Sequence, residues 1–115
     1  MKKIVVFPNS PIVMLVLPRI LKRFYEVGTY PLYFLKEGDL KISGLEKNVD
    51  LVIIDMDDEI SWAKAQDIIN SDTKVLLYTR DDYIKRILPK KIPFIRKNVS
   101  KEYFLAKITE LLEEK

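Results

Sequence analysis

The sequence contains no cysteine and no histidine, and only three of its 115 residues are glycine. Without cysteine the chain has no disulfide, no thiolate metal site and no cysteine nucleophile. Without histidine it lacks the usual general base and the commonest zinc ligand, which excludes a Ser-His-Asp hydrolase. The longest uninterrupted apolar run, residues 12–17, is far shorter than the roughly 20 residues of a membrane span. We therefore expect no membrane partner and a cytoplasmic location.

The composition that remains is that of one folded domain. Hydrophobic residues make up 48% of the chain and charged residues 32%, which is typical of a globular protein. The net charge of +3 is too small to argue for nucleic acid by itself. Basic residues gather in the segment 85–97, but Phe94 is its only aromatic residue, so a base-stacking surface is not expected there. We expect a single domain over residues 1–115 and no nucleic-acid partner.

Apolar runs of strand length alternate with helical segments, a pattern typical of an α/β fold with a parallel sheet and helices on both faces. The predicted strands are 3–7, 31–35, 51–54, 74–78 and 93–96. The first helix is predicted from Pro11, capped by Ser10, to residue 27, with Gly28 as its stop. Further helices are predicted at 39–47, at 57–70, from Asp81 or Asp82 to just before Pro89, and after Ser100.

Polar residues follow several of these strands. The predicted strand ends are Pro8 and Asn9, Leu35 and Lys36, Asp55, Thr79, and Lys97. In open α/β sheets, ligands bind outside the carboxyl ends of the strands. A carboxylate, a hydroxyl and an amine at the ends of the last three strands form a candidate phosphoryl site, in which a hard cation such as Mg²⁺ would offset the charge.

Three segments carry a resemblance to a known family: "DLVIIDMD", "KVLLYT" and "IPFIRK". With them the whole chain resembles the response-regulator receiver (CheY-like) domains of two-component phosphorelays. The resemblance implies a three-layer, doubly wound, flavodoxin-like fold with five parallel strands in the order 2-1-3-4-5. It also implies that Asp55 is the phospho-acceptor, Thr79 the switch hydroxyl, Lys97 the phosphate-binding lysine and Phe94 the aromatic position of the fifth strand.

The first strand departs from the family pattern. Receiver domains end that strand with two acids that hold Mg²⁺, and this chain has Pro8 and Asn9 there. The resemblance leaves Asn9, the carboxylate of Asp55 and the backbone carbonyl of Asp57 as metal ligands. Because the number of carboxylates sets the affinity for a hard cation, we expect Mg²⁺ binding to be weak or absent and phosphorylation of Asp55 to be slow. The side chain of Asp57, with Asp58 and Glu59, is more typical of a helix start.

Residues 12–17 predict a contact surface. Six consecutive apolar residues cover all sides of a helix, so some of them face outward unless another surface covers them. Ile12, Val13, Leu15 and Val16 are the candidate interface residues. The contact is a homodimer or a docking site for a larger partner, and the alternative is deep burial of this helix within the monomer.

From the sequence we expect a stand-alone, non-enzymatic signalling or regulatory domain, a pseudo-receiver that acts through protein–protein interaction. Its partner would be a histidine kinase or a regulatory target. Within the same family, the alternative is a functional response regulator that accepts a phosphoryl group. Outside it, "DMDDE" with a later Thr, a Lys and "RDD" is similar to the motifs of haloacid-dehalogenase-like, Mg²⁺-dependent phosphatases, although those place Asp-x-Asp on the first strand.

Overall fold

A computed structural model describes residues 1–32, 47–57, 72–80 and 92–113 of the chain. Within these ranges the strands are β1 (Lys3–Phe7), β2 (Glu26–Thr29), β3 (Leu51–Asp55), β4 (Val75–Thr79) and β5 (Phe94–Arg96). The helices are α1 (Pro11–Leu21) and α2 (Lys101–Glu113). Four strands lie within two residues of their predicted bounds, because their aliphatic runs have no equally good alternative to a buried strand.

The five strands form one parallel sheet in the order β2-β1-β3-β4-β5. This confirms the predicted fold class and strand order. Across the centre of the sheet Val6 pairs with Ile53, and Ile54 pairs with Leu77. All five residues of β3 are buried, as expected for the middle strand of a sheet that is covered on both faces.

Alternate residues of the strands divide the core between the two faces of the sheet. One face contains a buried cluster that includes Phe7, Ile54 and Leu77. The other face packs against α1 and α2, through Leu17 and Leu21 of the first helix and an apolar stripe on the second. That stripe confirms the predicted face: Phe104, Ile108 and Leu111 are buried and Leu112 is half-buried.

Both helices begin at the serine that the sequence predicts. The hydroxyl of Ser10 accepts a hydrogen bond from the N–H of Val13 at 3.3 Å, and Pro11 occupies the first position of α1. The hydroxyl of Ser100 accepts from the N–H of Tyr103 at 3.1 Å. Each such cap stabilises its helix by about 1 kcal/mol. The caps fix the loops after β1 and β5, which lie at the carboxyl edge of the sheet.

The second strand was predicted in the wrong place. The first helix ends at Leu21 instead of residue 27, and β2 is Glu26–Thr29 instead of 31–35. Tyr25 and Val27 alternate in the strand manner and pack on the face that carries α1, while Val27 pairs with Ile4. Gly28 lies opposite Val5 in the ladder and is not a helix stop. Pairing with β1 overrides the helical spacing of the apolar residues.

Several other predictions fall outside the described residues. Leu35 and Lys36, predicted as the end of the second strand, do not end β2, which ends at Thr29. The predicted helices at 39–47, at 57–70 and between Asp81 and Pro89 lie wholly or almost wholly in residues that the structure does not describe, and they stay predictions. In the described part of the chain, no helix has the length and hydrophobicity needed to cross a bilayer.

Candidate functional site: an ion cluster at the carboxyl edge of the sheet

Asp55 is the last residue of β3 and is almost completely buried, with 1% of its surface exposed. Its Oδ2 accepts a hydrogen bond from the backbone N–H of Asn9 at 2.8 Å, and its Oδ1 pairs with the ammonium of Lys97. The carboxylate therefore ties the residue after β1 to the residue after β5. The predicted convergence of Asp55 and Lys97 is present in the structure.

Lys97 reaches this position because the backbone ladder continues past the end of β5. Its N–H donates to the carbonyl of Thr79 at 2.8 Å, which places the lysine beside the end of β4. Its ammonium lies 2.5 Å from Oδ2 of Asp57 in addition to its pairing with Asp55. One lysine thus joins two carboxylates, and we call Asp55, Asp57 and Lys97 the ion cluster.

Asp57 takes part through its side chain. Its Oδ1 accepts from the hydroxyl of Thr79 at 3.2 Å and from the N–H of Arg80 at 2.6 Å. The guanidinium Nε of Arg80 lies 3.4 Å from its Oδ2, although the Arg80 side chain is largely exposed. Thr79 therefore lies at the site, as predicted, but its hydroxyl contacts Asp57.

The surroundings of the ion cluster shift the pKa of two groups. Burial raises the pKa of Asp57, but the N–H of Arg80, the ammonium of Lys97 and the hydroxyl of Thr79 together hold it below its ordinary value. The pKa of Tyr78 is raised by burial first, lowered by Lys97, and raised further by the two carboxylates. Asp57 is therefore ionised at neutral pH, and the Tyr78 ring lies within the electrostatic field of the cluster.

A cavity of about 340 Å³ opens over the ion cluster. Its lining combines polar and apolar residues: Asn9, Ser10, Ile12, Val13, Asp55, Asp57, Arg80 and Lys97. All four oxygens of its two carboxylates accept hydrogen bonds or ion pairs from the protein itself.

The donor set around this cavity does not fit a divalent cation well. Pro8 has no side-chain oxygen, Asn9 is neutral, and a metal at Asp55 and Asp57 would compete with the ammonium of Lys97 for the same two carboxylates. Within the described ranges no group of three acidic, His or Cys side chains is arranged around a common point. Since a hard cation requires several unpaired oxygen ligands, the expectation of weak or absent Mg²⁺ binding stays a prediction that this chemistry favours.

Two further candidates lie apart from the carboxylates. Phe94 opens β5, where it pairs with Leu77 and packs into the core cluster on the face opposite α1. Its predicted switch role stays a prediction. The side chains of Ile12, Leu15 and Val16 are 75%, 65% and 50% exposed, so part of the apolar run does face outward, as expected. Val13 turns inward and is half-buried.

An apolar groove of about 260 Å³ runs between α1 and α2, and we call it the α1–α2 groove. Its walls come from both helices and from the sheet: Ile12, Val13, Val16, Leu17, Ile20, Tyr78, Val99, Ser100, Lys101 and Phe104. Ile12 and Val13 line both this groove and the cavity over the ion cluster. The two depressions therefore share the first turn of α1 as a wall.

Comparison with solved structures identifies the architecture. The chain superimposes on a response regulator receiver domain from Clostridium thermocellum with a TM-score of 0.75 and 21% identity, covering 97% of this chain and 94% of that one. The fold is that of a response-regulator receiver domain. A receiver-modulated diguanylate cyclase from Pelobacter carbinolicus matches this receiver fold with a TM-score of 0.73 and 16% identity, covering 97% and 92%.

The receiver domain of the hybrid histidine kinase CckA also matches the receiver fold, with a TM-score of 0.64 and 18% identity, covering 96% of this chain and 99% of that one. No protein-family model matches the sequence. No curated protein matches it either. At these identities the likeness shows the receiver fold, and the chemistry of this chain must be argued from its own residues.

Two members of the site were not predicted in their observed roles. Asp57 was expected to act through its backbone carbonyl or as a helix-start acid, and Arg80 entered only through the "RDD" of the phosphatase alternative. The Asp-x-Asp spacing of Asp55 and Asp57 carried the signal, because residues two apart on an extended chain project to the same side. No comparable signal in the sequence distinguishes Arg80 from the other basic residues.

Proposed function

We propose that this chain is a pseudo-receiver, a regulatory domain of the receiver fold that acts through protein–protein contacts and does not depend on phosphorylation of Asp55. The observation that carries the proposal is the pairing of Lys97 with both Asp55 and Asp57. The ammonium contacts both carboxylates and offsets one of their two negative charges, and the largely exposed guanidinium of Arg80 lies near the second. Such a site has little need of an external cation.

The end of β1 supports the same proposal. A divalent ion held against an acidic pair reduces the repulsion between an incoming phosphoryl group and the aspartate that it joins. Pro8 and Asn9 supply no negative charge there, and the backbone N–H of Asn9 already binds Oδ2 of Asp55. Attack by Asp55 on a phosphoryl donor would have to use an oxygen that already accepts from Asn9 or from Lys97, and such a contact lowers the nucleophilicity of the oxygen.

The contact surface that we propose is the outer face of α1 together with the α1–α2 groove. Ile12, Leu15 and Val16 expose apolar side chains that the monomer does not bury, and aromatic and aliphatic side chains line the neighbouring groove. An amphipathic helix of a protein partner fits a groove of this kind. The partner would be a histidine kinase or another regulatory protein, and a second copy of the chain is the alternative. We also propose a cytoplasmic location for the protein, which cell fractionation tests.

Mass spectrometry of the intact protein tests the proposal. The purified chain is incubated with acetyl phosphate and MgCl₂ and then weighed, beside Asp55→Ala and the matched control Asp50→Ala. Asp50 precedes β3 at the opposite edge of the sheet, where it binds the N–H of Lys3. We expect no phosphoryl mass gain in any of the three. A gain in the wild type and in Asp50→Ala that is lost in Asp55→Ala would overturn the proposal.

That outcome would favour a phospho-accepting response regulator, the second candidate. The observation in its favour is that Asp55, Thr79 and Lys97 all lie at one edge of the sheet, where the N–H of Lys97 binds the carbonyl of Thr79. A lysine and a hydroxyl at this place are suited to holding phosphoryl oxygens. The two candidates therefore differ in whether Lys97 can leave the carboxylates when a phosphoryl donor arrives.

A further inference from the structure

Tyr78 lies between the ion cluster and the α1–α2 groove and contacts both. The ammonium of Lys97 is 5.6 Å from the centroid of the Tyr78 ring. The same ring packs edge-on against Phe104 of α2, with centroids 5.5 Å apart and an interplanar angle of 66°. Both aromatic side chains line the groove. A cation–π contact and an aromatic pair thus meet on one ring.

A second connection runs through the start of α1. Asp55 binds the backbone N–H of Asn9, and Asn9 is followed directly by Ser10, which caps α1. The first turn of the helix then contributes Ile12 and Val13 to both depressions. The position of this turn therefore depends on the ion cluster on one side and on the packing in the groove on the other.

Tyr78 faces the groove because of its place in the strand. Successive residues of β4 point to opposite faces of the sheet, so Leu77 packs in the cluster that contains Phe94, while Tyr78 packs with α1 and α2. Phe94, the position that the family resemblance singles out, thus lies on the face away from the groove. Tyr78 is the described side chain that joins Lys97 to Phe104.

We propose that the ion cluster and the α1–α2 groove are thermodynamically coupled through Tyr78. This inference rests on the proposed function, in which the groove receives a protein partner. When Lys97 is held by both carboxylates its ammonium stays over the Tyr78 ring, and the ring is held against Phe104. A partner that packs on Tyr78 and Phe104 stabilises the same arrangement, and by reciprocity a change in the ion cluster alters the affinity of the groove.

Amide hydrogen exchange followed by NMR tests the coupling without a partner. Asp57→Asn weakens the hold on Lys97, and Asp72→Asn, which lies before β4 at the opposite edge of the sheet, is the matched control. In Asp57→Asn we expect the amides of residues 14–17 and 104–108 to exchange about fivefold faster. The rates are compared with those of Val52 and Ile53 in β3, which report global unfolding. In the control Asp72→Asn, the exchange rates of residues 14–17 and 104–108 should be unchanged.

The role of Tyr78 is tested by repeating the experiment in a protein that already carries Tyr78→Val. If Tyr78 carries the coupling, Asp57→Asn introduced into Tyr78→Val should produce no selective change in α1 and α2. The proposal is overturned if Asp57→Asn leaves the helices unchanged in the wild type, or if the same selective change persists without Tyr78. Should Asp57→Asn fail to fold, Thr79→Val replaces it, since it removes the hydroxyl that donates to Asp57 and keeps both carboxylates.

The two proposals fail separately. A phosphoryl mass gain at Asp55 would overturn the pseudo-receiver function, whereas the coupling is judged only from the exchange rates of Asp57→Asn in the unphosphorylated protein. Unchanged exchange rates would overturn the coupling and would leave the mass of the protein after incubation with acetyl phosphate as it is.

Discussion

The ammonium of Lys97 lies 2.5 Å from Oδ2 of Asp57, and the same ammonium pairs with the buried carboxylate of Asp55. The side chain of Lys97 is 14% exposed and that of Asp55 is 2% exposed. Burying an ion pair away from solvent costs desolvation free energy. Removing one partner costs more, because the remaining charge is then buried without a counter-ion. The consequences of this arrangement can be measured one residue at a time.

Replacing Lys97 with Met should destabilise the protein by about 3 kcal/mol, since it leaves the buried carboxylate of Asp55 without its counter-ion. Equilibrium unfolding in urea measures the change. Lys107→Met is the matched control, because the ion pair of Lys107 with Glu110 spans 3.7 Å on the surface of α2 and should contribute less than about 1 kcal/mol.

The double variant Asp55→Asn/Lys97→Met separates charge from packing. Removing the carboxylate charge should recover part of the stability that Lys97→Met loses, because the buried position no longer holds an unpaired anion. If the double variant is no more stable than Lys97→Met, the loss comes from packing of the lysine stem, and the ion cluster is not the cause.

Acid should remove the contribution of Asp57 to stability. The pKa of Asp57 is lowered in the folded protein by the N–H of Arg80, by Lys97 and by Thr79, against the opposing effect of burial. A carboxyl group with a lowered pKa stabilises the fold fully above its unfolded value of about 3.9. That contribution is lost as the pH falls through the lower folded pKa, where the group becomes protonated.

Urea unfolding of the wild type and of Asp57→Asn from pH 7 to pH 2.5 measures this effect. The wild type should be the more stable protein at pH 7, and the difference should shrink as the pH falls below about 4. A difference that stays constant across this range would contradict the assignment, because it would mean that ionisation of Asp57 does not stabilise the fold.

The sequence predicted where the site lies more accurately than it predicted which side chains contact each other within the site. Parallel strands present their carboxyl ends at one edge, so Asp55, Thr79 and Lys97 could be placed at the same edge because each one follows a predicted strand. The side-chain contacts of Asp57 could not, because an acid after a strand fits a helix start equally well. Whether Asp57 turns toward Lys97 is decided by the ladder that brings Lys97 beside Thr79.

The second strand was missed for a related reason. Val16, Ile20 and Val27 continue a spacing that suits a helix, and Gly28 is a plausible helix stop. The same residues from 25 to 29 also alternate as a strand, with Tyr25 and Val27 on one face. The local spacing of apolar residues does not distinguish a helix that continues to residue 27 from a strand over residues 25 to 29. The choice is made by the available edge of β1, with which Glu26–Thr29 pairs.

If copies of the chain associate through the outer face of α1, a charged residue placed there should abolish this self-association without unfolding the monomer. Leu15 is 65% exposed, so Leu15→Glu should change the free energy of unfolding by no more than about 0.5 kcal/mol. Leu17 is 3% exposed, and Leu17→Ala should cost about 2 to 5 kcal/mol. Sedimentation velocity at several concentrations measures association. If copies of the chain associate and Leu15→Glu associates as strongly as the wild type, the contact does not use this face.

Restoring acids at the end of β1 should create a divalent-ion site that the natural sequence disfavours. Pro8→Asp/Asn9→Asp adds two carboxylates directly after β1, where the N–H of residue 9 binds Asp55, so the negative charge of this edge rises and Mg²⁺ gains ligands. MgCl₂ should then stabilise the variant, by about 2.7 kcal/mol when the ion reaches roughly 100 times its dissociation constant. Thermal unfolding in MgCl₂ and in NaCl of equal ionic strength measures this. Lys47→Asp, before β3 at the opposite edge, controls for added negative charge. Equal stabilisation of the wild type by Mg²⁺ would show that Lys97 yields to a metal.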